Sequence, residues 1–283
     1  MEMWIAILRW MDTQMKEPTL YGPYHWFWLI ATVVCALVLC WRARQDSHQQ
    51  VCKVVLTVAL LVTALEIYKQ INYSFGYSTG SIVFEYRWYA FPFQFCSTPM
   101  YIGLLAGIFR KGKLHDHLCA YLATYGVFAG VCVMLYPGDV FCETVGINIQ
   151  TMIWHGSMIV VGVYLMASGH VKLSYRTVLK ALPVFVTTVT MAALMNEAAY
   201  QTGLLEEHNF NMFYISPYCD PSLPVYSLVQ QVLPFPASLL IYVAAFTLAA
   251  YLIVLAAMGV RSLRRHHAEA AVDRPRRLHL LYK

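Results

Sequence analysis

Three side chains carry the chemistry this sequence offers: the thiol of Cys96, the imidazole of His155 and the carboxylate of Glu66. A free thiol has a pKa of about 8.5 and is a weak nucleophile near neutrality. An imidazole that takes its proton converts it to a thiolate. The thiolate can attack an ester carbonyl, hold the acyl group as a thioester, and pass it to an alcohol or to water. Glu66 can orient the imidazole as the third member of a nucleophilic triad. Gln94, Asn196 and Asn209 carry amide N–H groups able to stabilise the oxyanion. The chain has no Gly-rich phosphate loop, and no second His or carboxylate repeats at a metal-ligand spacing. Neither a cofactor nor a metal is therefore expected.

The elements that must position these residues follow from composition. The chain has 283 residues, 59% hydrophobic and 12% charged, against roughly 25% charged in soluble domains. So apolar a chain is neither disordered nor an ordinary cytosolic enzyme, and it is not a disulfide-framed secreted scaffold. Runs of about 20 apolar residues mark bilayer-crossing helices. They fall at Tyr24–Trp41, Val51–Ile71, Phe91–Phe109, Leu118–Tyr136, Ile149–Ser168, Arg176–Asn196 and Pro234–Gly259. The predicted fold is all-α: one polytopic membrane domain with an outer segment over 1–23, seven transmembrane helices over 24–259 and a basic tail over 260–283.

Charge sorts the linkers. Arg42, Arg44, Lys53, Arg110, Lys111, Lys113, Lys172 and Arg176 lie on one side, together with the Arg-rich tail. The other side holds Arg9, Lys16 and Arg87 beside Asp139, Glu143, Glu206, Glu207 and Asp220. Lys and Arg remain cytoplasmic, so the N-terminus is expected outside and the C-terminus inside. The net charge of +5 then reflects topology and does not imply nucleic-acid binding. The chain begins Met1-Glu2 without a basic n-region, so no signal peptide is expected. Trp4, Ile5, Leu8 and Met11 fall near helical spacing, as in a short amphipathic helix. Tyr73, Phe75, Tyr77, Phe84, Tyr86, Trp88 and Tyr89 read as headgroup-level anchors.

With that orientation and helical spans, Glu66, Cys96 and His155 each lie about 8–9 Å below the outer boundary, at 1.5 Å of rise per residue. An acid, a thiol and an imidazole thus share one layer, where the ester bonds of a phospholipid also lie. Ionisable groups at such depth are functional candidates by default, and the inner half of the spans has nothing comparable. Glu66 has a plainer alternative, neutralisation by Lys69 one turn later. Cys35, Cys40, Cys52, Cys119 and Cys132 read as small packing residues. Cys142 and Cys219 both fall in outer linkers and could form a disulfide.

The stretch Phe91-Pro92-Phe93-Gln94-Phe95-Cys96-Ser97 resembles the "Leu-Pro-Leu-(His/Gln)-x-Cys-(Ser/Asp)" signature of the YwaF integral-membrane family. Trp154-His155-Gly156, the segment from His208-Asn209-Phe210 to Pro217, and Leu233-Pro234-Phe235-Pro236 resemble its later motifs in the same order. That family is related to the transmembrane protein 164 lipid acyltransferases, which use a Cys and a His, and more distantly to the androgen-induced-gene lipid hydrolases. The resemblance implies an acyltransferase or ester hydrolase acting on membrane phospholipid, with Cys96 as nucleophile and His155 as base. It also implies a multi-pass protein of the bacterial plasma membrane. Two non-catalytic readings compete. A seven-helix receptor fits the expected topology, although the last span lacks a Lys for a retinal Schiff base. A transporter fits less well, because the polar layer does not continue inward.

Overall fold

The computed structural model describes residues 2–78, 81–138, 140–203, 210–219 and 223–281, and the side chains of the last helix as far as Arg264. The chain forms helices α1 (Glu2–Met11), α2 (Pro23–Arg42) and α3 (His48–Ser74), then a hairpin of β1 (Phe75–Ser78) and β2 (Ser81–Phe84). Next come α4 (Thr98–Ile108) and α5 (Gly112–Leu135), the latter interrupted by a π-turn at Leu122–Gly126. The remaining helices are α6 (Val145–Ala167), α7 (Tyr175–Gln201), α8 (Pro224–Val232) and α9 (Phe235–Leu281). The fold is all-α apart from the antiparallel hairpin, which pairs Phe75 with Phe84 and Tyr77 with Ile82.

Among the described residues six helices are long and apolar enough to cross a bilayer: α2, α3, α5, α6, α7 and the Phe235–Arg264 part of α9. The expected third span is the exception. Only Thr98–Ile108 of Phe91–Phe109 is helical, about 16 Å of rise, half of a hydrocarbon core of about 30 Å. The reason lies in its prolines. Pro92 falls in the irregular stretch before the helix, and Pro99 occupies the first turn, where its missing N–H costs no intrahelical bond. Non-helical backbone at that depth must be buried in protein. Here Phe91, Phe93 and Phe95 pack against the main core and against Phe210 and Phe213 of the segment between α7 and α8.

α5 and α6 form the buried centre, and α2 and α9 the periphery. Small residues allow the central pair to close up. A Cβ on Gly130 would stand 2.7 Å from the His155 carbonyl oxygen, and one on Gly162 would stand 2.1 Å from Val127 Cγ2. On the periphery Trp26, Phe27, Ile30 and Leu37 of α2, and Leu240, Leu248 and Leu252 of α9, are exposed. This is the surface that lipid tails cover. α1 is helical as its spacing predicts, with Ile5, Leu8 and Met11 buried and Trp4 and Trp10 exposed. Its C-terminal end is tied to α3 where the Tyr68 hydroxyl donates to the Met11 carbonyl at 2.7 Å.

Candidate active site

Cys96 sits in the turn that leads into α4, two residues before its first helical residue. The turn closes when the N–H groups of Ser97 and Thr98 both donate to the Gln94 carbonyl, at 2.8 and 3.2 Å. The Cys96 carbonyl accepts from Trp154 Nε1 of α6 at 2.8 Å. Trp154 is adjacent to His155, so this bond fixes the thiol-bearing turn against the imidazole-bearing helix. Cys96 is half-buried and packs on the cluster of Val62, Met100, Ala129, Trp154 and Met158.

His155 is buried. Its Nδ1–H donates to the Thr151 carbonyl at 2.7 Å, one turn back in α6. That bond sets the tautomer: Nε2 carries the lone pair. Nε2 is buried and has no hydrogen-bond partner, so it makes no bond to the Cys96 thiol in this resting arrangement. A buried ring nitrogen left without a partner carries a free-energy cost, and the lone pair of this one is unengaged. Hydrogen bonds of catalytic groups are often long or unformed until substrate binds.

Glu66 does not orient the imidazole. Its Oε1 takes an ion pair from Lys69 at 2.9 Å and a hydrogen bond from Gln70 Nε2 at 2.7 Å, while Oε2 is buried without a partner. The orienting group for His155 is instead the backbone carbonyl of Thr151. Lys69 joins the site in a way its pairing with Glu66 had concealed. Its ammonium lies 5.9 Å from the ring centroid of Trp154, the residue that bonds the Cys96 carbonyl. The one-turn spacing of Glu66 and Lys69 was the sequence signal for it.

Gln94 and Asn196 are clamps, and their amides are not free for an oxyanion. Gln94 Nε2 donates to the Asn211 carbonyl and its Oε1 accepts from the Phe213 N–H, both at 2.9 Å. Asn196 Nδ2 donates to the Met212 carbonyl at 3.0 Å, and its Oδ1 accepts from the Met212 N–H at 2.7 Å. Two side chains thus hold the α7–α8 segment across the turn before α4, and in that segment Phe213 and Tyr214 adopt positive φ of 60° and 58°. Asn196→Leu leaves the buried Met212 N–H without a partner, at about 1–3 kcal/mol, while the Met212 carbonyl keeps only the 3.4 Å bond from the Ile215 N–H. A lowered thermal midpoint of the detergent-solubilised protein is the expected readout. Asn209 and His208 lie outside the described residues.

The expected link between Cys142 and Cys219 is not made, and both are free thiols. Each sulfur faces a carbonyl in its own segment, Cys142 that of Thr144 and Cys219 that of Phe210, both at 3.8 Å. The expectation that no residues could hold a metal also fails. His48, Cys52, His115 and His170 bring their donor atoms within 4.8 Å of one another at the other end of the bundle. Two His-x-x-x-Cys pairs, His48 with Cys52 and His115 with Cys119, announced it in the sequence. His170 completes the group only in three dimensions.

Apolar helices of membrane-crossing length wound round a buried central pair define a multi-pass α-helical membrane protein. The sequence model of the TMEM164 family matches residues 20–255, well over half of the chain, and the protein belongs to that family. No curated protein and no solved structure matches it.

Proposed function

We propose that this protein is a membrane-embedded enzyme that moves an acyl chain from a lipid ester through a thioester on Cys96. His155 Nε2 takes the thiol proton as sulfur bonds to the acyl carbon. The ester C–O bond breaks, and the proton passes to the leaving alcohol oxygen. An acceptor alcohol or a water then attacks the thioester, with His155 taking its proton and returning it to sulfur. The observation that carries this reading is the His155 tautomer: Nδ1–H held by Thr151, and a bare Nε2 on the helix that bonds the Cys96 carbonyl.

A route for a lipid fits the same reading. A groove of about 410 Å³ runs along α3 and α4, lined by Glu66, Ile67, Gln70, Pro92, Met100 and Tyr101. Its apolar walls suit an acyl chain, and Met100 and Tyr101 also pack on the Cys96 cluster. In the membrane we place α4 with its preceding turn as a seventh, half-helical crossing. The Arg- and Lys-rich linkers put the N-terminus outside and the C-terminus in the cytoplasm, and the site then faces the outer leaflet. The substrate is a membrane phospholipid.

The test is direct detection of the intermediate. After incubation with a phospholipid, mass spectrometry of the purified protein is expected to show an acyl adduct on Cys96 that hydroxylamine releases. An adduct absent from Cys96 under conditions of active turnover would sink the thioester.

A further inference from the structure

At the end of α3 remote from Glu66, about 27 Å away along the helix, stands a group of side chains that the acyl-transfer reading does not use. Local structure brings it together from the start of α3, the start of α5 and the α6–α7 linker. Ser47 caps α3 through a reciprocal pair with Gln50, which starts the helix at His48 and sets Cys52 one turn on, on the same face. Gly112, at φ +90°, opens α5, so that His115 falls in its first turn. Gly169, at φ +75°, ends α6. The Val171 N–H then bonds back to the Leu165 carbonyl at 3.0 Å, and His170 is turned onto the other two imidazoles.

We propose that His48, Cys52, His115 and His170 form a structural transition-metal site, of a kind suited to Zn²⁺, that clamps the start of α3, the start of α5 and the α6–α7 linker together. Three imidazoles and one thiolate are a complete tetrahedral donor set for that ion, and no open position remains for substrate. With bonds of about 2.0–2.3 Å, tetrahedral ligand atoms stand about 3.3–3.6 Å apart. Cys52 Sγ is 4.0 Å from His115 Nε2, and one donor atom from each of the four residues lies within 4.8 Å of the others. His115 Nε2 and His170 Nε2 are 2.6 Å apart, so ion entry separates these two nitrogens by less than one ångström.

The outer shell matches a metal site as well. His115 Nδ1–H donates to the Ala106 carbonyl at 3.0 Å, which leaves its Nε2 lone pair aimed into the group. His48 Nε2–H donates to the Arg110 carbonyl at 2.7 Å and leaves Nδ1 as its donor atom. Backbone carbonyls of this kind fix the tautomers of metal-binding histidines. Cys52 and His115 are buried while His48 is exposed, which gives an ion a way in. Binding displaces the Cys52 thiol proton to solvent. Cys119 Sγ, 3.5 Å from His115 Nε2, is the neighbouring thiol outside the set.

The experiment uses the full chain purified in detergent, stripped with a chelator and titrated with Co²⁺. One equivalent is expected to give tetrahedral d–d bands and a thiolate-to-cobalt charge-transfer band, and Zn²⁺ is expected to bleach both. Cys52→Ser is expected to lose the charge-transfer band, while Cys119→Ser keeps it. His115→Ala and His170→Ala are expected to weaken Co²⁺ binding by more than the roughly 10–100-fold that follows loss of an outer-shell partner. A wild-type measurement stands beside the variants: saturating Zn²⁺ is expected to raise the thermal midpoint of the stripped protein, since it binds the folded state. Absence of a tetrahedral cobalt spectrum in the wild-type protein overturns the site. So does a charge-transfer band that survives Cys52→Ser.

Discussion

Cys96→Ala is expected to reduce lipid acyl turnover by on the order of 10³-fold or more, which corresponds to about 4 kcal/mol of transition-state stabilisation. The nucleophile is the atom that becomes bonded to the acyl group, so no neighbouring side chain can stand in for it. His155→Ala is expected to cost nearly as much, because it removes the proposed base, whose Nε2 is unpartnered and whose Nδ1–H is held by Thr151. Residues acting as one unit are strongly non-additive. The double variant is therefore expected to be no worse than either single one. Initial rates with phospholipid in mixed micelles measure all three. Full turnover by either single variant would leave the protein without this mechanism. Simple addition of the two losses in the double variant would show that the residues act separately.

The second large effect is on folding. Gly162→Leu is expected to prevent recovery of a monodisperse protein, or to lower its thermal midpoint well beyond that of an ordinary core substitution. Overpacking a well-filled core costs about 1–3 kcal/mol when the surroundings can shift. Here they cannot shift easily. A Cβ at Gly162 would stand 2.7 Å from the Leu122 carbonyl oxygen and 3.3 Å from the Ala123 Cα as well as 2.1 Å from Val127 Cγ2, so two of its three obstacles are backbone. Both belong to the π-turn of α5, at the centre of the bundle. Gly259→Ala is the matched control, because a Cβ at that position meets nothing within 4 Å. Size-exclusion chromatography and thermal melts of the two variants are expected to separate them clearly. A Gly162→Leu protein that melts like Gly259→Ala would mean that α5 and α6 do not meet as closely as described.

Much of this architecture was legible because hydropathy and helix length are local properties. Six of the seven expected spans fall on long apolar helices. The third was misread for an equally local reason: Pro92 and Pro99 delay the helix until Thr98, so a depth counted by helical rise from Phe91 was not valid. The turn that carries Cys96 is nonetheless bonded to the helix that carries His155, through a Trp154 bond to a backbone carbonyl that no pattern in the sequence encodes. The roles of Glu66, Gln94 and Asn196 were less legible. Each is a polar group inside a span, and the sequence shows that it needs a partner without showing which. Lys69 answers Glu66, while the α7–α8 segment answers the other two. The His and Cys group at the other end of the bundle escaped because its ligands come from the start of α3, the start of α5 and the α6–α7 linker, far apart in the chain. Its one local trace, a His and a Cys four residues apart, occurs twice and was read each time as a packing cysteine.

The π-turn of α5 has a consequence for how the two ends of the molecule are matched. A π-bulge holds one surplus residue in an otherwise regular helix, and each α-helical residue advances the chain by about 100°. The π-turn takes up that residue locally, so the two α-helical halves of α5 keep nearly the phase of an uninterrupted helix, with Gly130 against the His155 carbonyl oxygen at one end and His115 beside His170 at the other. A one-residue insertion without such a bulge would turn one of these contacts away from its partner by about 100°.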